Sequence, residues 1–450
     1  MNELTLPFPT RASRWGMPTL LADIFLMHAG FFLIIPLLSV HYVDGLGWAA
    51  GFIGVVLAVR QFTQQGLTMF GGALADKLGP RGLILAGLFI RALSFVLMGY
   101  AATPGMLLVA SAAAAIGGAL FGAPTRAAVA VLVPQDKITD AYARISLLQN
   151  LGLTVGPLIG AWLIRFDFAT VGVAAGLFYF LAFFITWVGL PAMSISDTPN
   201  GQSPLRGLRH PLSDRSFMVY TALLIGYWFM WAQLSLSMPL AIRSLTGNDS
   251  SVGMMFTVSA VLAMGLQVPA LKLLERWLKP FPILILGVCS VALSLTLVAV
   301  VQNLWQFYAS LFFFALGVVW VSPTSESVAA AFAQPIARGA YFGVNSLALA
   351  VGGSVGHIVG GSLVDWAIRL NHPDLPWLVY GGVGFAAAMG LALFYLKPTT
   401  RQRLEPVAAA KSDTATTPAT SASHPEASVS SLLPGDHNES GLQKSLPVSE

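Results

Sequence analysis

The residues of this chain able to do chemistry are charges lodged in long apolar runs. Only two acids lie deep in such runs, Asp23 and Glu326, against three bases, Arg60, Arg91 and Arg126, with His28 and His357 as titratable neutrals. A charge at the centre of a bilayer costs ~2.5–3.5 kcal/mol on insertion scales, so each of these needs a partner or water. Asp23 lies about five residues inside one edge of its run, and Arg126 about six inside the same edge of its own. Equal depth makes them an expected pair. A carboxyl ionised beside a guanidinium, and free to take a proton when the guanidinium moves off, is suited to proton exchange. A static salt bridge locking the helices is the other reading. For Glu326, proton carriage and a gate pair with Arg338 both stay open.

The remaining polar groups suggest a cavity. Arg60 and Gln64 share a stripe at i, i+4, as do Gln61 and Gln65, so their run has a polar face suited to substrate, to water or to interhelical hydrogen bonds. Arg91 either joins that face or only neutralises. His28, five residues from Asp23, lies about 140° from it round a helix and is read as an interhelical residue rather than a relay. His357 is a second titration candidate. Aromatic residues Tyr227, Trp231 and Trp320 line an apolar pocket or face lipid. Three deep arginines against two acids suggest tolerance of zwitterionic or anionic molecules.

The elements that must position these groups are membrane helices. Of 450 residues, 56% are hydrophobic and 10% charged, against roughly 25% charged in ordinary soluble chains. The apolar residues come in blocks of about 20–25, the length that crosses a bilayer. We read twelve spans, near 18–42, 51–75, 82–101, 105–132, 139–165, 168–190, 216–242, 251–275, 281–301, 304–331, 338–366 and 375–396. The first is too long for a signal-peptide core and is read as retained. The single cysteine, Cys289, sits inside a span and excludes a disulfide framework.

Basic residues set the orientation. Arg11, Arg14, Lys77, Arg81, Lys137, Arg206, Arg276, Lys279, Arg338, Lys397 and Arg403 flank spans on one side, and only Arg165, Arg243 and Arg369 lie on the other. The positive-inside bias therefore places both termini in the cytoplasm and accounts for the net charge of +4 without nucleic acid.

The chain divides into a cytoplasmic N-terminus (1–17), a six-helix bundle (18–190), a Pro/Ser/Gly-rich link (191–215), a second six-helix bundle (216–396) and a Ser/Thr/Ala/Pro-rich tail (397–450) read as disordered. The two bundles repeat. A shift of 199 carries Gly54 to Gly253, Asp76-Lys77 to Glu275-Arg276 and Pro124-Thr125 to Pro323-Thr324, and a shift of 200 carries Gly152, Gly156 and Gly160 to Gly352, Gly356 and Gly360.

Two motifs remain. Gly72-Ala73-Leu74-Ala75-Asp76-Lys77-Leu78-Gly79-Pro80-Arg81 joins spans 2 and 3, with Gly79-Pro80 as the reversal and Asp76 able to pair with Arg81 or cap a helix. A plain charged turn is the alternative. In span 5, Gly152, Gly156 and Gly160 give a smooth stripe for close packing, and Pro157 weakens the backbone ladder. The first motif resembles the loop 2–3 signature of the major facilitator superfamily, with Pro80 in place of the usual basic residue. The second is similar to the motif associated with antiporters in that superfamily, with Ala161 replacing its last glycine. A packing seam without a coupling role is its other reading.

The resemblance implies an all-α fold of twelve helices in two pseudo-symmetric bundles, and a drug:proton antiporter in a bacterial cytoplasmic membrane. Such a protein works as a monomer by rocking of its halves, with Asp23, Arg126 and Glu326 as proton-coupling candidates and Gly72, Asp76, Lys77, Gly79 and Arg81 as the cytoplasmic gate. The expected partners are amphipathic drug-like molecules, protons and lipid. No phosphate-binding loop, metal cluster or nucleophile arrangement stands out, so neither an enzyme nor a cofactor is expected, and a proton gradient supplies the energy. A symporter or uniporter for a sugar or amino acid, and a polytopic membrane protein that transports nothing, are the alternatives.

Overall fold

The computed structural model describes residues 11–134, 137–192, 209–334 and 338–404, with side chains at 11–14, 69–78, 130, 138–139, 143, 268 and 338–339 outside that description. Most of the expected N-terminal segment, link and tail therefore lies outside the described residues, as do the side chains of Asp76, Lys77 and Arg338.

The first half contains α1 (Arg11–Ser39), α2 (Ala50–Leu78), α3 (Pro80–Gly99), α4 (Pro104–Leu132), α5 (Ile138–Leu163) and α6 (Phe168–Gly189). After a short helix α7 (Arg209–Ser213) come α8 (Arg215–Trp231), α9 (Ser237–Thr246), α10 (Ser250–Glu275), α11 (Pro280–Val298), α12 (Leu304–Phe332), α13 (Arg338–Leu370), α14 (Leu375–Tyr395) and α15 (Pro398–Leu404). Helix starts follow the local sequence. The side chains of Thr103, Asp167, Asp214 and Asn303 cap α4, α6, α8 and α12, each accepting a backbone amide from three residues on. Gly79, at φ 75°, makes the turn between α2 and α3 alone, and Pro80 occupies the first position of α3. The charged stretch from Gly72 to Leu78 is thus the end of α2 rather than a loop.

Eleven described segments are long and apolar enough to cross a membrane. Helix α2 is the twelfth membrane helix and falls short of that apolarity because Arg60, Gln61, Gln64 and Gln65 interrupt it. It is clasped by α4 on one side and α13 on the other.

The repeat read from the sequence is a repeat of packing. In the first half α1 lies on α5 and α6, α3 on α4 and α6, and α2 on α4; in the second α8 lies on α13 and α14, α11 on α12 and α14, and α10 on α12. Gly87 and Gly117 bring α3 and α4 together backbone to backbone, and Gly287 and Gly317 do the same for α11 and α12.

Two expectations need correction. The seventh span is not one helix: it breaks after Trp231 into a 3-10 turn, Ala232–Leu234, before α9 resumes. The first residues of the tail expected to be unstructured from Lys397 are ordered: Pro398–Leu404 is helical, and Arg403 clamps Asp214 through both terminal guanidinium nitrogens, at 3.0 and 2.7 Å.

Candidate functional site

The two halves meet through α2 on α13 and α5 on α10. Both seams are tightest on the side of the bundle opposite the chain ends. A side chain at Gly54 would run into the His357 carbonyl, and one at Gly361 into the backbone of Ala50. In the symmetric seam, a Cβ at Gly253 would stand 2.5 Å from the Ala161 Cβ and 2.7 Å from the Pro157 carbonyl oxygen. The repeat-related pair Gly54 and Gly253 thus does the same work twice, letting backbones touch across the molecular midline.

Polar contacts reinforce this face. Asp365 of α13 accepts the backbone amides of Ala50 and Gly51, each at 2.8 Å, and so caps α2 from the other half. Arg243 reaches Asp44 across the midline at 3.2 Å. Phe32 of α1 and Phe256 of α10 lie with ring centroids 6.2 Å apart, and Ser354 donates to the Ala58 carbonyl at 3.2 Å. Further inward on the same seam, a Cβ at Gly353 would stand 3.3 Å from the Gln61 Cγ. Nothing lies within 4 Å of a Cβ built at Gly66 or at its repeat equivalent Gly265. The contacts described between the halves thus gather on the face opposite the start of α1 and the end of α15.

The expected partnership of Asp23 with Arg126 is not formed. Asp23 is fully buried and accepts from the Thr186 hydroxyl of α6 at 2.6 Å through one oxygen; its other oxygen has no hydrogen-bond partner. Arg126 is exposed, and neither residue enters an ion pair among the described residues. Equal depth placed the two at one height, but α1 turns Asp23 toward α6 rather than α4. Glu326 is exposed, like Arg126, and the side chain of its possible partner Arg338 lies outside the described residues.

Mid-membrane, the polar face of α2 turns inward. Arg60 and Arg91 are 7% and 2% exposed, and Gln61 is buried beside them. Arg60 donates to Gln61 and Gln64, at 3.2 and 3.4 Å, and its guanidinium lies 4.8 Å from the Phe31 ring centre. Arg91 donates to the Met27 sulfur at 3.3 Å and is ringed by Phe31, Phe95 and Tyr179. His357 is buried on the facing helix and meets the Ser235 hydroxyl at 3.0 Å. Of the aromatic candidates, Tyr227 is buried; Trp231 is half-buried against Trp228; Trp320, also half-buried, donates to the Ala270 carbonyl at 3.3 Å and ties α12 to α10. His28 bonds the Ile24 carbonyl of its own helix at 2.8 Å.

The span-5 stripe is a packing seam. Gly152, Gly156 and Gly160 lie against Phe25, His28, Ala29 and Leu33 of α1, and a Cβ at Gly156 would stand 2.5 Å from the Ala29 carbonyl oxygen. Gly352 and Gly356 repeat this against Ile225 and Phe229 of α8. Pro157 sits within an unbroken α5, its carbonyl turned to Gly253. At the gate motif, Arg81 donates to the Trp187 carbonyl at 2.7 Å.

Sequence reasoning missed two features. Asp365, near the end of α13, was not among the candidates, and it caps α2 across the midline. Gln233 lies where the seventh span breaks: its amide donates to the Phe229 and Gly356 carbonyls at 3.0 and 2.9 Å, while its oxygen accepts from Ser237 at 2.8 Å. A fully buried glutamine bonded to protein carbonyls and a hydroxyl is the condition under which irregular backbone survives at membrane depth. The polar string Gln233-Leu-Ser235-Leu-Ser237 inside an apolar run was the available signal.

Against known proteins, the sequence matches the family model of the Major Facilitator Superfamily over residues 21–286 and 227–433. It is 35% identical over 400 residues to the multidrug resistance protein MdtH of Salmonella paratyphi B, covering 88% of this chain and 98% of that one. The same figures hold for MdtH of Salmonella typhimurium. Among solved structures, the nucleoside transporter NupG superposes with a TM-score of 0.73 at 12% identity, over 84% of this chain and 99% of the other. The POT family transporter PepTSo gives 0.73 at 14%, over 88% and 99%.

Proposed function

The chain belongs to the Major Facilitator Superfamily and is a transporter rather than an enzyme, and on that premise we propose that it exports amphipathic, drug-like molecules in exchange for protons. The substrate class is drawn from the multidrug resistance protein MdtH, which the chain resembles over nearly all of that protein's length. Alternating access supplies the mechanism. With the face opposite the termini held by Asp365, Gly54 and Gly253, a solute enters from the termini side, and closure there accompanies release of the Asp365 cap. The distribution of basic residues supports a cytoplasmic termini side, and the bacterial relatives support a bacterial inner membrane. Both gates lie within one chain, and the protein acts as a monomer.

The observation that carries proton coupling is Asp23: fully buried, held by a hydroxyl on one oxygen, and without a counter-charge among the described residues. An uncompensated carboxylate is expensive in such a place, so this group exchanges a proton as the bundle moves and its surroundings change from dry to wet. Thr186 holds it in orientation through that exchange. Reconstituted vesicles carrying a pH dye in the lumen test the reading. Adding a cytotoxic amphiphile to an imposed proton gradient drives a lumenal pH change if exchange is coupled; drug movement with no pH change overturns it.

A further inference from the structure

We propose that Arg60 and Arg91 together form a receptor for an anionic group, so that acidic amphiphiles, with an aromatic body and a carboxylate, are among the molecules this transporter carries. The inference rests on the export reading above and gives it a substrate class. Two guanidiniums on α2 and α3 lie at membrane depth, more than nine-tenths buried, over one shared ring, Phe31. A buried charge ordinarily persists by pairing with a carboxylate. Neither arginine has one among the described residues.

What they have instead is weak. Arg60 reaches two neutral amide oxygens, and Arg91 a thioether sulfur, a poor acceptor. The Nε of each is buried with no acceptor at all. Tyr179 and Phe95 satisfy part of Arg91 through their ring faces, but rings supply no hydrogen-bond acceptor to an in-plane N–H. Two planar forks thus hold donor capacity in excess of the acceptors around them, which a carboxylate of a bound molecule fills. Asp23 does not fill it: it makes no ion pair with either arginine, and its hydrogen bond is to Thr186. The body of such a ligand has a surface to lie on, since Phe31 and Phe32 are only partly buried and meet edge to face at 5.0 Å, with Phe256 beyond.

The test compares naphthylacetate with its neutral isostere naphthylacetamide by calorimetry on the full-length purified protein. Charge-assisted hydrogen bonds predict that the acid binds about tenfold tighter than the amide. Arg60→Gln and Arg91→Gln each collapse that ratio. Equal affinities in the unaltered protein overturn the assignment, as does a ratio that survives in the double variant. Should the glutamine variants fail to fold, Arg60→Lys and Arg91→Lys keep the charge but not the fork; a reduced ratio supports the receptor, and an unchanged one overturns it. The export reading is checked separately by the lumenal pH change. Coupled export of neutral and cationic amphiphiles with no preference for acids removes the anion receptor and leaves that reading standing; acid preference without coupling does the reverse.

Discussion

The Asp365 carboxylate accepts the Gly51 amide at 2.8 Å across the line between the two halves, and its second oxygen takes the Ala50 amide at the same distance. A helix that begins at a molecular midline thus has its first orphan donors satisfied by the opposing half. Capping of this kind is worth about 1 kcal/mol, up to ~2, when removed by alanine. Asp365→Ala therefore shifts the balance between sealed and open states of this face by roughly five- to thirtyfold toward open. Spin labels at Leu46 and Leu370, both exposed, placed in a Cys289→Ser background, report the change as a longer distance population.

The glycine seams predict a steric counterpart. At Gly54 the obstructing atom is the backbone carbonyl of His357, which cannot swing aside as a side chain can. Gly54→Ala therefore holds the sealed face apart at a cost of about 1–3 kcal/mol. The same labels read it, and Gly253→Ala in the symmetric seam has an effect of the same sign.

Asp23→Asn keeps the shape of the Thr186 contact and removes the titrating group. The expected result is unchanged drug binding with loss of the lumenal pH response. Normal coupling in this variant transfers the proton elsewhere and leaves the fold untouched.

A different carboxylate, Asp214, predicts a pH effect on the termini side. Burial works against its ionisation, yet the Arg403 hydrogen bonds, the Phe217 amide, the guanidinium charge and Tyr341 together hold the carboxyl below its ordinary range. Its folded value being lower than its unfolded one, the contribution to stability is fully present above about pH 4 and disappears as pH falls through the depressed folded value. Hydrogen exchange in α15 should thus be flat from neutral pH down to about 4, after correction for intrinsic rates, and rise below it. Arg403→Ala should show the faster exchange at every pH.

What the sequence disclosed follows from what one dimension can encode. Span edges, the repeat and the close-packing glycines are periodic or local, and Gly54 and Gly253 were matched before either had a partner. Height in the bilayer was legible as well, which is why Asp23 and Arg126 were paired. The direction in which a residue points round its helix depends on neighbours hundreds of residues away: Thr186 takes Asp23, and Arg126 is left exposed. Asp365 was hidden for the same reason, since its partners are backbone amides, which carry no sequence identity. The break at Gln233 was hidden because the carbonyl it binds at Gly356 belongs to another helix.

Helix α2 carries a consequence for how the protein is made. Its polar face leaves it the least greasy of the membrane helices, and one of its two flanking partners, α13, is synthesised only after some 260 further residues have emerged, from Leu78 to Arg338. Until then Arg60 and its glutamines must wait near the insertion machinery with only the first-half helices, Phe31 of α1 and α4 among them, as cover. Biogenesis of the first half is thereby tied to completion of the second, and a ribosome stalled before α13 leaves behind a half-transporter with its most hydrophilic helix unsheltered.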